Sequence, residues 1–142
     1  MNAPTRRDRL RRNPFGTSAG AGAVVLGVLG LIVGEAVSQG MTNSLRGAAG
    51  PVAHLWGLEL AAGGLLKIFG LYWHHSELEI PGLWLMCGGY AFYSITVVVG
   101  LGAHGLAAGI IAGALTIGCL VKVRQLQRLA RATQESQERG EA

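Results

Sequence analysis

Two charged residues stand inside an apolar stretch of this sequence, and they are the first candidates for chemistry. Glu59 and Lys67 lie within residues 55–73, a run long enough to cross a bilayer as a helix at roughly 1.5 Å per residue. A charge at mid-membrane costs on the order of 2.5–3.5 kcal/mol, so such residues are rare unless they are shielded or functional. A carboxylate that faces the interior of a bundle could bind a proton or a cation. Glu59 is therefore a candidate intramembrane site.

Each of the two residues also has a structural explanation. Glu59 could be a hydrogen-bonded carboxyl group that contacts hydroxyl groups of the following span. Those hydroxyl groups belong to Tyr90, Tyr93, Ser94 and Thr96. Lys67 is expected to extend to the interface and keep its ammonium group in water. The two charges are eight residues apart, roughly 12 Å along a helix axis, so no direct ion pair is expected.

No other set of residues matches a catalytic or metal-binding pattern. Cys87 and Cys119 lie in apolar segments without CxxC spacing, so they are expected to act as small buried hydrophobes. The histidines are not gathered with a carboxylate as metal ligands would be; they are His54, His74, His75 and His104. No nucleophile–histidine–acid set, phosphate loop or cofactor motif occurs. We expect no enzyme activity, no cofactor and no metal.

Composition indicates helices packed in lipid. Half of the 142 residues are hydrophobic, 14% are charged and 23 are glycine, without the period of collagen. The net charge of +4 comes from two clusters near the ends, with only Arg46 and Lys67 between them. The clusters are Arg6, Arg7, Arg9, Arg11 and Arg12, and Lys122, Arg124, Arg128, Arg131 and Arg139. Such flanks are typical of membrane spans and not of a nucleic-acid-binding protein.

The apolar runs predict an all-α membrane protein with four transmembrane helices, over residues 18–38, 52–73, 79–101 and 105–121. Residues 1–17 form a basic arm, and residues 40–50 a short loop. Residues 76–79 match a capping box, with Glu79 reaching back to Ser76. Residues 122–142 continue the fourth helix as a basic amphipathic extension, whose tail frays beyond Ala132. An alternative is a cleaved first span, because Arg11-Arg12 before Phe15 resembles a twin-arginine export signal.

Glycines at helical spacing predict close contacts between helices. In the first span these are Gly27, Gly30 and Gly34, and in the fourth Gly105, Gly109 and Gly113. Such residues let the backbones of two helices approach within lipid, either inside one subunit or between subunits. A homo-oligomer is therefore expected.

Positive charge accumulates on cytoplasmic flanks, so both termini are expected in the cytoplasm and the chain in the cytoplasmic membrane. The basic residues of the extension are expected to contact anionic lipid headgroups, at about 1 kcal/mol each. They are Lys122, Arg124, Arg128 and Arg131. The same extension could instead present a surface to a cytoplasmic protein partner.

Three short sequences carry a resemblance. Arg11-Arg12-Asn13-Pro14 precedes the first span, Leu78-Glu79-Ile80-Pro81-Gly82-Leu83 opens the third, and Lys122-Val123-Arg124-Gln125-Leu126 leaves the fourth. With this layout the chain resembles small multi-span membrane proteins of actinobacterial bacteriophages, some of which are taken to be holins. The resemblance implies a protein that self-associates in the cytoplasmic membrane and opens it to release lytic enzymes.

Two other functions are open. The bundle could anchor the basic extension as an accessory or assembly protein of a phage or mobile element. It could also be a small ion-coupled transporter that uses Glu59. The small multidrug transporters also have four spans, but their essential glutamate is in the first; here Glu35 ends that span and Glu59 lies in the second.

Overall fold

The structure, a computed structural model, describes residues 14–73 and 76–140. Over these ranges the chain is helical and contains no strand, so the prediction of an all-helical protein is confirmed. In chain order the elements are α1 (Pro14–Val33), a 3-10 turn (Gly34–Val37), α2 (Gln39–Ser44), α3 (Ala49–Trp73), α4 (Ser76–Leu101), a second 3-10 turn (Gly102–Gly105) and α5 (Leu106–Gly140).

Three stretches of the described chain are long and apolar enough to cross a membrane. They are Pro14–Val37, Ala49–Trp73 and Glu77–Ala132. The third has 56 residues and contains nearly all of α4, the second 3-10 turn and most of α5. Helices suit a bilayer because they satisfy their own backbone hydrogen bonds. The expected association with a membrane therefore rests on the length and composition of these helices.

The four long helices pack in chain order, α1 on α3, α3 on α4 and α4 on α5, and each pair is antiparallel. We call one end of the bundle the Lys67 end, because the start of α1 and the start of α4 both meet α3 there, at Lys67 and Gly70. We call the opposite end the Gly102 end. It holds both 3-10 turns, at which Gly34 and Gly102 adopt φ values of 63° and 54°.

The central helix, α3, uses glycines on two of its faces. Gly57 and Gly64 face α1, and a methyl group on Gly64 would lie 2.6 Å from the carbonyl oxygen of Gly20. Gly63 and Gly70 face α4 in the same way. Each pair is seven residues apart, so it recurs on one side of the helix and lets two backbones touch.

A short helix occupies the Gly102 end where a loop was predicted over residues 40–50. The helix α2 begins after Ser38, whose Oγ accepts a 3.4 Å hydrogen bond from the amide of Met41. Ser44 Oγ then donates a 2.7 Å bond to the Thr96 carbonyl on α4. The loop prediction was wrong because the serine cap and the buried Met41 side chain together favour a turn of helix docked on the bundle.

Both ends of the described chain also differ from the prediction. The helix α1 begins at Pro14, inside the predicted basic arm of residues 1–17, because proline is well suited to a first helical turn. The rest of that arm lies outside the described residues. The helix α5 continues to Gly140, beyond the fraying expected after Ala132, and its last residues are rich in glutamine, glutamate and arginine, which favour helix.

Candidate functional site

Lys67 is turned into the bundle and does not extend to the interface. Its side chain is only 4% exposed, and Nζ donates a 2.6 Å hydrogen bond to the carbonyl of Gly16 on α1. The expectation of a snorkelling lysine was therefore wrong. The reason is that α1 lies directly over this face of α3 and supplies an acceptor where water would otherwise be needed.

A second buried charge lies near Lys67. Glu79, on the first turn of α4, is 7% exposed and interacts electrostatically with Lys67. Its Oε1 is buried and accepts no hydrogen bond from any described residue. The sequence assigned this carboxylate to a helix cap, so its place among the buried charges at the Lys67 end was missed.

Glu59 lies at the contact between α3 and α4, half-buried. Its carboxylate fits over Gly88, since a methyl group there would lie 2.5 Å from Glu59 Oε1. No hydrogen bond joins it to the described residues. Glu59 thus faces a glycine recess between two helices, and the structure does not bring it together with Lys67, which lies eight residues further along the same helix.

The hydroxyl groups of the four α4 residues do not donate hydrogen bonds to Glu59. Tyr90 donates to the Ala19 carbonyl at 3.1 Å, and Ser94 donates to the Gly109 carbonyl at 2.8 Å. Thr96 donates within α4, and Tyr93 stacks on Trp56 with ring centroids 5.4 Å apart. Their expected contacts with Glu59 were wrong because carbonyls of neighbouring helices accept the bonds of Tyr90 and Ser94, whereas Thr96 bonds within α4 and the Tyr93 ring stacks on Trp56.

Two of the three α1 glycines pack as predicted against α3. A methyl group on Gly27 would lie 2.6 Å from the Gly57 carbonyl oxygen, and one on Gly30 would lie 3.0 Å from Gly57 Cα. Gly34 has a different role. It ends α1 with a positive φ and lies beside the ring of His54, so it is a turn glycine and not part of the helix contact.

The three glycines predicted to pack in the fourth span face α4 within the same chain. Gly105 lies against the backbone and side chain of Val97, Gly109 against Val98 and Gly113 against Ser94. The sequence left open whether these glycines act within or between subunits. The structure uses them within the chain, where they bring α4 and α5 together.

Two cavities lie between α1 and α5, which are not among the helix pairs that pack along their length. The larger, of about 310 Å³, is at the Lys67 end, and the smaller, of about 200 Å³, is the next along the bundle. Leu115 lines both. Lys67, Lys122 and Gln125 line the larger cavity, and the two lysines are the charged groups that a ligand there would meet.

The predicted headgroup residues divide into two sets. Lys122 is partly buried at the larger cavity, whereas Arg124, Arg128 and Arg131 are exposed on the continuation of α5. An arginine row on an exposed helix can contact an anionic surface or an acidic protein, but it forms no enclosed site.

The described residues contain no cluster of three histidine, cysteine, aspartate or glutamate side chains that could hold a metal ion. Cys87 and Cys119 are free and buried, and Cys87 Sγ lies 3.8 Å from the Thr116 carbonyl oxygen.

Sequence reasoning also missed Trp56. Its Nε1 donates a 2.8 Å hydrogen bond to the Gly89 carbonyl, and its ring lines the smaller cavity. Because Trp56 lies about one turn from the start of the predicted span, where interfacial tryptophans concentrate, the sequence offered no signal for a buried tryptophan there.

Comparison with protein-family models, curated proteins and solved structures finds no match for this chain.

Proposed function

We propose that this chain is a four-span protein of the cytoplasmic membrane that anchors a basic helical stem, residues 122–140, as a membrane-bound accessory protein. The observation that carries the proposal is the continuity of α5. This helix has 35 residues, roughly 52 Å at about 1.5 Å per residue, and its apolar part changes to a basic part at Lys122 without a break. A bilayer core is about 30 Å thick, so the remainder extends beyond it.

Four spans are supported by the turn inside the third apolar stretch. A straight helix of 56 residues would be roughly 84 Å long, far more than a bilayer needs. The second 3-10 turn interrupts it at Gly102, and α5 packs back on α4. The length of the stretch and the turn within it therefore support the proposal of two crossings.

The orientation follows from charge. The start of α1 and the stem both belong to the Lys67 end, next to the arginines that precede and follow the spans. At the Gly102 end the sequence has a single lysine or arginine, Arg46. The positive-inside rule then puts the Lys67 end, and with it both termini, in the cytoplasm.

A holin-like pore, the function that the resemblance implies, has less support from the geometry. The side-chain donors Lys67, Tyr90 and Ser94 are held by backbone carbonyls, and the outward surface of the long helices before Lys122 is largely apolar. Exposed apolar residues on it include Val25, Ile32, Leu55, Phe69, Trp84, Val99, Ile110 and Ile117. Such a surface suits lipid and offers no polar face to line a pore.

A homo-oligomer remains a separate proposal. Because the glycine faces of α1 and α5 are occupied within the chain, copies that associate would do so through the larger apolar side chains on the outside. An ion-coupled transporter is supported less, because Glu59 has no hydrogen-bonding partner among the described residues through which a proton could pass.

Trypsin accessibility tests the orientation. In inside-out membrane vesicles trypsin should remove the stem and leave Arg46 uncut, and in spheroplasts it should cut at Arg46 and leave the stem. The opposite pattern would overturn the proposed topology. Arg46 is exposed at the Gly102 end, so it is a matched site for the other face.

Timed induction separates the anchor from the pore. On expression of the full chain in bacteria, growth and membrane potential should continue unchanged. An abrupt loss of potential would overturn the anchor and support the pore.

A charge variant tests the stem. The full chain should retain a specific cytoplasmic protein that the Arg124→Gln, Arg128→Gln, Arg131→Gln variant releases. Equal retention by both chains would contradict a role for the stem.

A further inference from the structure

The gap between α1 and α5 is a groove with one charged end. We call it the α1/α5 groove and define it by the two neighbouring cavities that share Leu115. The helices α3 and α4 form its floor, because they pack with each other and with α1 and α5 respectively, while α1 and α5 are not packed along their length. The groove therefore opens toward the surrounding lipid.

The charged end lies at the Lys67 end of the bundle. Lys67 uses one of its three N–H donors on the Gly16 carbonyl, and Lys122 faces the same cavity from α5. Both ammonium groups belong to side chains that line one cavity, and Glu79 is a buried carboxylate at the same end of the bundle. Two ammonium groups and one carboxylate give this end of the bundle a formal charge of +1.

The smaller cavity of the groove is lined by aliphatic and aromatic side chains. The smaller cavity is walled by Leu26, Trp56, Tyr90, Tyr93 and Ile111 together with small residues of α5. The hydroxyl group of Tyr90 is already held by the Ala19 carbonyl, so the aromatic ring and not the hydroxyl group is available to a ligand. An occupant should therefore have an anionic head and an apolar tail.

A helix from a second copy fits this groove less well than a lipid. An apolar helix would cover the lysines without supplying a negative charge, and burial of an unmatched charge is costly. A phosphodiester carries a single negative charge, which matches the single positive charge of the groove. It also lies at the membrane interface, where the apolar part of α5 ends.

We propose that the α1/α5 groove binds one phospholipid with a net anionic headgroup, its phosphate between Lys67 and Lys122 and an acyl chain passing Leu115 toward Trp56. The groove differs from the exposed arginines of the stem because it would bind both the headgroup and an acyl chain of the lipid. It does not depend on the function proposed for the stem.

Tryptophan quenching by brominated acyl chains tests this proposal. Trp56 is 3% exposed, so lipid around the bundle reaches it only by entering the groove, whereas Trp84 is half-exposed on the outside. A full-length chain with Trp73→Phe and Trp84→Phe reports on Trp56 alone, and one with Trp56→Phe and Trp73→Phe reports on Trp84. Both are placed in vesicles that contain brominated phosphatidylglycerol or brominated phosphatidylcholine at the same mole fraction.

Brominated phosphatidylglycerol should quench Trp56 more strongly than brominated phosphatidylcholine does, and the two lipids should quench Trp84 alike. Lys122→Gln should weaken the phosphatidylglycerol preference at Trp56 about fivefold, the factor for one lysine near a membrane surface. Arg46→Gln, at the opposite end of the bundle and outside the groove, should leave the preference unchanged. Each variant is compared at equal helix content, so that loss of folding is not mistaken for loss of binding.

A steric variant completes the test. Gly118 lines the larger cavity and has open space where a side chain would begin, so Gly118→Leu should fill the groove and protect Trp56 from quenching. Gly22→Leu, also in open space but outside the groove lining, is its control. The proposal is overturned if the two lipids quench Trp56 equally, if neither quenches it, or if Gly118→Leu has no effect. Absence of quenching is the result expected for a groove filled by a second copy.

Discussion

The ammonium group of Lys67 on α3 donates a 2.6 Å hydrogen bond to the backbone carbonyl of Gly16 on α1. This bond fastens the first turn of α1 to the central helix at the end of the bundle where Glu79 and Lys122 also lie. The Lys67 ammonium group was expected to reach the interface, but it forms a hydrogen bond inside the bundle. It both positions α1 and forms part of the floor of a cavity.

Removing this bond should loosen the start of α1. Lys67→Met keeps the length of the side chain but cannot donate to Gly16, so we expect the unfolding free energy to fall by about 1 kcal/mol. Hydrogen–deuterium exchange in detergent should become faster over residues 14–21 and stay unchanged in α4. Lys122→Met is the matched control, because Lys122 lines the same cavity without a hydrogen bond to a described residue. Equal effects of the two substitutions would contradict the prediction.

The contact between α1 and α3 should depend on Gly27. Gly27→Ala would put a methyl group 2.6 Å from the Gly57 carbonyl oxygen, so the helices must separate, at about 1–3 kcal/mol. Gly22→Ala on the same helix meets open space and should be neutral or stabilising by up to about 1 kcal/mol. Denaturation in sodium dodecyl sulfate, followed by circular dichroism, measures both. A Gly27→Ala protein as stable as wild type would show that the helices are not in contact there.

The tyrosines of α4 should differ in their response to loss of a hydroxyl group. Tyr90→Phe removes the 3.1 Å hydrogen bond to Ala19 and should lower the unfolding free energy by about 0.6–1 kcal/mol, the range for such bonds in membranes. Tyr93→Phe keeps the ring that stacks on Trp56 and should change stability little. The same denaturation assay compares them, and a larger loss for Tyr93→Phe would reverse the assignment.

Glu59→Gln should leave both folding and membrane permeability intact. The carboxylate accepts no hydrogen bond from a described residue, and a neutral amide is easier to desolvate over Gly88, so stability should stay equal or rise slightly. Proton flux into proteoliposomes, followed with a pH-sensitive dye, should be the same for both proteins. A flux that is present in wild type and collapses in the variant would instead support the ion-coupled transporter.

Several features of this protein follow from its sequence without reference to tertiary contacts. Within lipid a backbone must satisfy its own hydrogen bonds, so the long apolar runs by themselves predict helices. The turn before α5 and the packing role of Gly27 could also be predicted, because glycine spacing is a local property of one helix.

The tertiary structure decided which faces meet. The long helices are apolar on nearly all sides, so the sequence contains little information about which side is inward, and the destinations of Lys67 and of the hydroxyl groups on α4 could not be inferred. They depend on where the helices approach closely, at Gly57 and Gly64 between α1 and α3 and at Gly109 between α4 and α5. Close approach places backbone carbonyls within reach of side-chain donors. For that reason Lys67 is bonded inside the bundle, whereas Glu59, which cannot donate when ionised, has no hydrogen-bonding partner among the described residues.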